Sequence, residues 1–252
     1  MSHNNRKQER KAGKPIGLSA RLETVASFVP EGARVADIGT DHGYIPIFLV
    51  QSGISPKAIA MDVRKGPLER ARAHVTELGL SDRISLRLSD GLRELKPGEA
   101  EAVVIAGMGG ELVERILSQG RHMWESVSDW ILSPQSELHR VRAFLAEEGF
   151  QIFREAMVKE DGKYYTVMAA RRGRMEYKSE AGLRYGALLL RQRDPLLREF
   201  LLREEERVRS IMERLRGVGE AERTQGQKAA LTQLEGELQM IEEAQHEMRG
   251  DY

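Results

Sequence analysis

Apolar residues in the first part of the chain fall into short blocks separated by longer amphipathic stretches. In SARLETVASFV, Leu22, Val25, Ala26 and Val29 recur at helical spacing, which predicts a helix that ends before Pro30. Five blocks follow that are short and rich in Val, Ile and Leu: ARVADIG, KAIAMDV, ISLRLSDG, EAVVIAGMGG and DWILSP. Stretches of helical period, such as GPLERARAHVTELGL, lie between several of them. Strand and helix in repeated alternation predict a mostly parallel sheet with helices on both faces. FQIFREAMVKEDGKYYTVMAARR then reads as two strands about an Asp161-Gly162 turn, an antiparallel pair closing the sheet.

From about Met175 the pattern changes. Glycine thins out and Leu, Glu and Arg dominate. Leu197, Leu201, Val208, Ile211 and Leu215 follow alternating four- and three-residue steps, with Glu204 interrupting one position. After a break at GVGEAERTQG, Leu231, Leu234, Leu238 and Ile241 repeat the pattern. Two long helices paired as an antiparallel coiled-coil hairpin are expected; a helical subdomain packed on the core is the alternative. The expected division is a basic tail over 1–16, a sheet domain over 17–174 and a helical domain over 175–252.

Composition narrows the class. The 252 residues are 40% hydrophobic and 31% charged with formal net charge zero, as in a globular protein. No apolar run approaches the roughly 20 residues that span a bilayer. The opening MSHNNRKQERKAGK is basic but lacks the apolar core of a secretory signal, so the cytoplasm is the expected compartment. The absence of cysteine excludes disulfides, thiolate zinc sites and cysteine nucleophiles. The histidines are scattered and no metal is expected. Zero net charge argues against binding nucleic acid by overall attraction. A local footprint remains open: Arg6, Lys7, Arg10, Lys11 and Lys14 in the tail, with Arg184, Arg191, Arg193 and Arg198 in the helical part.

In a doubly wound sheet, ligands bind beyond the carboxyl ends of the strands. The first strand ends in VADIGTDHGYIP, where Gly39 and Gly43 allow close backbone approach and a helix N-terminus follows. The turn does not match the dinucleotide pattern G-x-G-x-x-G. Asp37 there would repel a pyrophosphate and suits a cationic or zwitterionic ligand. Asp62 ends the second strand, placed to accept from a ribose diol, and Asp90 in SDG could accept from an adenine amine. Asp62 also suits a helix cap, and SDG a turn. Taken together, the three acids point to S-adenosylmethionine rather than NAD. Gly107, Gly109 and Gly110 before the next helix read either as tight packing or as a backbone platform beside the transferable methyl. His42 and Tyr44 could line the same mouth, and Gln135 is a plausible contact to a base edge.

VADIGTDHGYIP, SDGL, IAGMGG and KEDGKYYTV resemble the TrmK family of bacterial tRNA methyltransferases, closely over about residues 17–172 and in architecture beyond. The resemblance implies a Rossmann-like class I methyltransferase fold with a mostly parallel seven-stranded sheet and a C-terminal helical domain. It implies methyl transfer from S-adenosylmethionine to N1 of adenosine 22 in tRNA. It places Asp37, Gly39, Thr40, Asp41 and His42 around the methionyl group, and Asp62 on the ribose-binding acid, usually Glu in the family. Asp90 and Gly91 fall on the adenine turn and Gly107 to Gly110 on the turn facing the base. Gly43, Val63, Ala106 and Met108 complete the expected cofactor set. Asp41, His42, Tyr44 and Gln135 are expected at the target base as positioning groups. One departure is LSPQ at Leu132 to Gln135, where the family often has LQPN; Asn and Gln carry the same amide. tRNA is the expected partner, with no membrane, and a monomer is expected with a dimer left open. A small-molecule methyltransferase, or a non-catalytic RNA-binding or scaffold protein, are the alternative readings.

Overall fold

Short apolar strands separated by amphipathic helices can hide both faces of a sheet only by stacking the helices on each side. The computed structural model, which describes residues 15–217, 219 and 222–250, has that arrangement. α1 (Ala20–Ala26) precedes β1 (Val35–Ile38), followed by α2 (Tyr44–Gln51), β2 (Ala58–Asp62), α3 (Lys65–Glu77) and β3 (Ile84–Leu88). β4 (Ala102–Ala106), α4 (Gly110–Gln119), β5 (Asp129–Ser133) and α5 (Leu138–Glu147) continue the alternation. The hairpin β6 (Phe150–Glu160) and β7 (Lys163–Arg172) turns at Asp161-Gly162, as expected. The basic tail residues Arg6, Lys7, Arg10, Lys11 and Lys14 lie outside the described residues.

The seven strands form one sheet in the order β3-β2-β1-β4-β5-β7-β6. β1 to β5 pair in parallel, and β7 runs antiparallel between β5 and β6. Chain direction across the sheet reverses between β1 and β4, so the crevice outside their carboxyl ends is the switch point where a ligand fits. All four residues of β1 are buried, because helices cover both its faces. Successive residues still serve different layers. Val104 and Ile131 pack with Val25, Ile47 and Val75 of α1, α2 and α3. Ile105, Trp130 and Leu132 pack with Val113, Leu117, Val141 and Leu145 of α4 and α5.

After β7, one π-helical turn (Gly182–Gly186) and α6 (Ala187–Arg191) lead into α7 (Pro195–Arg216) and α8 (Gln225–Arg249). α7 starts where Asp194 accepts from the Leu196 and Leu197 N–H groups with Pro195 in the first turn; α8 starts with a Thr224/Gln227 capping box. The two helices run antiparallel: Arg216 pairs with Glu235 near the connection, Arg209 with Glu242 further along, and Gln245 with Glu205 beyond it. Leu197, Leu201, Val208 and Met212 of α7 meet Leu231, Ile241, Ala244 and Met248 of α8 in a third apolar cluster. The expected seam used Ile211, which is half-buried, whereas Met212 is buried. The contact follows four-residue steps from Val208, as a helix of 3.6 residues per turn allows. Arg191 and Arg198 are exposed, Arg184 lies 3.9 Å from Glu237, and Arg193 donates to the Arg249 carbonyl.

Candidate active site

The turn after β1 is shaped by its backbone. The Gly39 and Thr40 N–H groups both donate to the Met61 carbonyl, at 2.8 and 2.9 Å, and fold the chain over the end of β2. Gly39 has φ +77°, and a Cβ there would lie 1.9 Å from Met108 Cε, so the β4 loop rests directly on it. His42 and Gly43 are both left-handed before α2 begins. Pro46 is the third helical residue, where no intrahelical N–H is required.

Across the switch point, the loops after β4 and β5 are stitched together. Gly107 N–H donates to the Ser133 carbonyl and Gln135 N–H to the Met108 carbonyl. Between these loops and the β1 turn opens a cavity of about 640 Å³, a size typical of small-molecule sites. Asp37, Gly39, Asp41, Tyr44, Asp62, Val63, Asp90, Gly91, Ala106, Gly107, Met108 and Gln135 all line it. Five expected residues do not, among them Gly110, which is buried at the start of α4 against Ser136 and Glu137. Thr40 lies buried beneath the turn. Gly43 caps α2, where a Cβ would meet Ala71 Cβ at 3.2 Å, so its glycine serves helix packing. Gly109 caps α4 and borders a neighbouring depression with Glu111 and Arg140. The His42 ring lies beside those of Tyr44 and His74, with centroids 5.3 and 5.7 Å away and planes within 24°. His74 Nδ1 is 2.9 Å from the His42 carbonyl.

The acids differ in environment. Asp37 is 5% exposed, and burial raises its carboxyl pKa to about 6. The Thr40 hydroxyl beside it pulls the other way, though it completes no well-formed hydrogen bond among the described residues; the Asp62 charge adds to the rise. Asp62, also buried, accepts the Arg64 N–H at 2.7 Å. Asp90 lies half-exposed at 3.4 Å from Arg93. Gly91 beside it is left-handed and faces Ile116. Asp41 accepts from Arg70 at 2.8 Å, and that hydrogen bond holds its carboxyl below the ordinary range.

The strand-end reading missed Arg21 and Leu22 of α1, and Leu112, Arg115 and Ile116 of α4, all of which line the cavity. Leu22 carries a helical core signal, and Leu112 and Ile116 lie on one face of α4 four residues apart. Among the described residues, no group of three or more His, Asp or Glu is placed to hold a metal ion, and no helix is long and apolar enough to cross a membrane. Buried carboxylates at the mouth of β1 and β2, an apolar wall of Val63, Leu112 and Ile116, and a close backbone approach at Gly39 fit a cationic adenine nucleoside.

The comparisons agree with this fit. The methyltransferase-domain family matches residues 18–168. The chain is 34% identical over 233 residues to the tRNA (adenine(22)-N(1))-methyltransferase of Bacillus subtilis, covering 90% of this chain and 97% of that one. The crystal structure of Bacillus subtilis TrmK superposes with TM-score 0.79 at 33% identity, over 90% of this chain and 98% of that one. A Streptococcus pneumoniae relative solved in complex with S-adenosyl-L-methionine gives TM-score 0.80, also at 33% identity, over 90% and 99% of the two chains. With the fold, the switch-point cavity and these relatives in agreement, the chain belongs to the tRNA (adenine(22)-N(1))-methyltransferase family.

Proposed function

We propose that this protein transfers a methyl group from S-adenosylmethionine to N1 of adenosine 22 in tRNA. The observation that carries the reading is the switch-point cavity: buried Asp37 and Asp62 on one side, and the Gly107 and Gln135 loops on the other. S-adenosylmethionine supplies an electrophilic methyl on a positively charged sulfur. Asp37 accepts from the cofactor's amine and Asp62 from the ribose. Asp90 and Gly91, opposite Ile116, take the adenine.

Adenine N1 carries its own in-plane lone pair, so no side chain has to remove a proton before attack. The task is alignment, which supplies up to about 7–11 kcal/mol in favourable cases. Gln135, fixed through its N–H to the Met108 carbonyl, offers both a donor and an acceptor to the base edge. Tyr44 borders the opening and Asp41 is fixed there by Arg70. His42 acts through its ring contact with Tyr44. Because N1 lies on the pairing edge, a base-paired target must first leave its stack.

We read residues 17–174 as the methyltransferase domain and 175–252 as an appended helical domain, supported by the separate apolar cluster between α7 and α8. A monomer in the cytoplasm is the form this reading takes, since the two long helices bury their seam against each other.

The test is transfer from labelled S-adenosylmethionine to tRNA, followed by nucleoside analysis. Label should appear as N1-methyladenosine and vanish when adenosine 22 is replaced by guanosine. Label on a free small molecule, or no transfer despite cofactor binding, would overturn the reading.

Gly110 offers a second check. A Cβ there would lie 2.6 Å from the Ser136 carbonyl oxygen and 2.9 Å from Glu137 Cβ, on the loop that carries Gln135. Gly110→Ala should therefore cost about 1–3 kcal/mol of stability. It should lower kcat more than cofactor affinity, because the displaced loop faces the base and the acids lie elsewhere. Thermal melts with calorimetry and steady-state rates would resolve the two effects.

A further inference from the structure

Aromatic rings meet in two ways in this protein. Trp124 and Trp130 meet Phe150 edge-on, and Tyr164 and Tyr185 meet Phe200 in the same manner, with planes at 60° to 85°. At the cavity mouth His42, Tyr44 and His74 instead lie nearly parallel, their centroids 5.3 to 5.8 Å apart and their planes within 28°. Parallel rings present a flat face to which a further flat ring can add by offset stacking. All three are half-buried. Tyr44 lines the cavity while His42 and His74 do not, so the rings lead from the opening to the outer surface.

α3 builds this surface. Arg70 donates to Asp41 at 2.8 Å, Ala71 packs under Gly43, and His74 Nδ1 donates to the His42 carbonyl at 2.9 Å. The last of these supports His42 where its backbone is left-handed, at φ +59°. That hydrogen bond accounts for one nitrogen of His74; it does not account for a ring set nearly parallel to two others. Around the rings the helix is cationic: between 64 and 74, Arg64, Lys65, Arg70 and Arg72 stand exposed against a single acid, Glu69. Arg70 is taken up by Asp41, whereas Arg64 is 77% exposed despite a 3.8 Å approach to Asp62.

Resting on the reading that adenosine 22 of tRNA enters this cavity, we propose that His74, aligned with His42 and Tyr44, stacks on a nucleobase that flanks the target, while the exposed cations of α3 meet the phosphates beside it. An adenosine that leaves its strand deprives its neighbours of a stacking partner. A flat ring just outside the opening replaces that partner and holds the strand open. Rings flanked by cations suit a single-stranded nucleotide, whose base stacks while its phosphates meet the charges. An acidic peptide would use the cations and leave the rings idle.

Steady-state kinetics of the full-length protein test the proposal, with intact tRNA and with tRNAs abasic at position 21 or 23. His74→Asn loses the ring and keeps a donor for the His42 carbonyl; His74→Phe keeps a ring and loses the donor. The Asn variant should raise KM for intact tRNA about five- to hundredfold, the range of one base–aromatic stack, and the Phe variant about threefold or less. Calorimetry should find S-adenosylmethionine affinity within about twofold of wild type in both. One of the two abasic tRNAs should raise the wild-type KM by a similar factor, and on that tRNA the Asn variant should match wild type. A KM deficit of the Asn variant that persists on both abasic tRNAs would overturn the proposal, as would a Phe variant impaired as much as the Asn variant; either would leave His74 as a support for the turn. A wild-type KM unaffected by either abasic position would also overturn it, leaving α3 a contact to phosphate alone. Wild-type protein that binds S-adenosylmethionine but methylates no intact tRNA would instead overturn the functional reading beneath it.

Discussion

Replacing Asp37 by Asn should weaken S-adenosylmethionine binding about a hundredfold or more, and should make the unliganded protein more stable at pH 8. Both effects have one cause. The carboxylate ends β1 inside the sheet, 5% exposed, and burial lifts its pKa to about 6 from an ordinary 3.8. A folded-state pKa above the unfolded one means that this group favours the folded protein below about pH 4 and loses that contribution as pH rises through 6. By pH 8 the buried charge costs on the order of 3 kcal/mol. Asn has nearly the same shape and no charge, so melting curves of the variant should lack the wild-type fall in stability between pH 4 and 6 and should end above it. The charge that destabilises the empty protein is the one a cationic ligand needs. Wild-type affinity should therefore rise between about pH 5 and 7 and level off, with proton release on binding near pH 6. Calorimetry in two buffers of different ionisation heat reads that release directly. An Asn variant that binds normally would remove Asp37 from the site.

The strand ends were the most legible part of the molecule. Asp37, Asp62 and Asp90 could be picked out because apolar blocks stop at them or just before, and parallel strands bring their carboxyl ends together whatever the intervening helices do. Arg21 was invisible to that logic. It sits on a helix before β1, at a position that reads as solvated, and reaches the cavity only because Glu160, far away in the chain, fixes the start of α1. The glycines show the same limit. Gly39 and Gly43 look alike in the sequence, yet one lies directly against the Met108 side chain and the other packs against Ala71 of α3. His74 carries no motif, and only the docking of α3 sets its ring beside His42 and Tyr44. In the helical part, the apolar spacing located both helices, but Ile211 and Met212 are adjacent apolar residues, and the angle at which α8 approaches decides between them.

The largest loss of stability should come from a residue that no sequence motif marks. Arg142 on α5 is a buried arginine with a side chain 1% exposed, paired at 3.0 Å with Glu155 of β6, which is fully buried. Its Nη1 also donates to the Leu183 and Arg184 carbonyls, in the π-helical turn that leads to the helical region. Gly186 closes over the pair: its φ is +102°, and a Cβ would stand 2.8 Å from Glu155 Oε2. Tyr177 lies against the same charges, and burial pushes its hydroxyl pKa up, so it stays neutral. Arg142→Met should cost about 3–5 kcal/mol, because it strands a carboxylate where water does not reach and frees two carbonyls as well. The double variant Arg142→Met with Glu155→Leu should recover most of that loss, since an apolar pair of similar volume avoids both desolvation penalties. Recovery in melting temperature need not restore the link to the helical region, whose carbonyls at 183 and 184 have still lost their donor. Hydrogen exchange should therefore show faster opening of residues 182–191 in the double variant than in wild type, while cofactor affinity at the distant strand ends stays unchanged. A double variant as unstable as the single one would mean that the pair is needed for more than mutual neutralisation. Unchanged exchange at 182–191 would mean that the Arg142 bonds do not hold the helical region to the sheet.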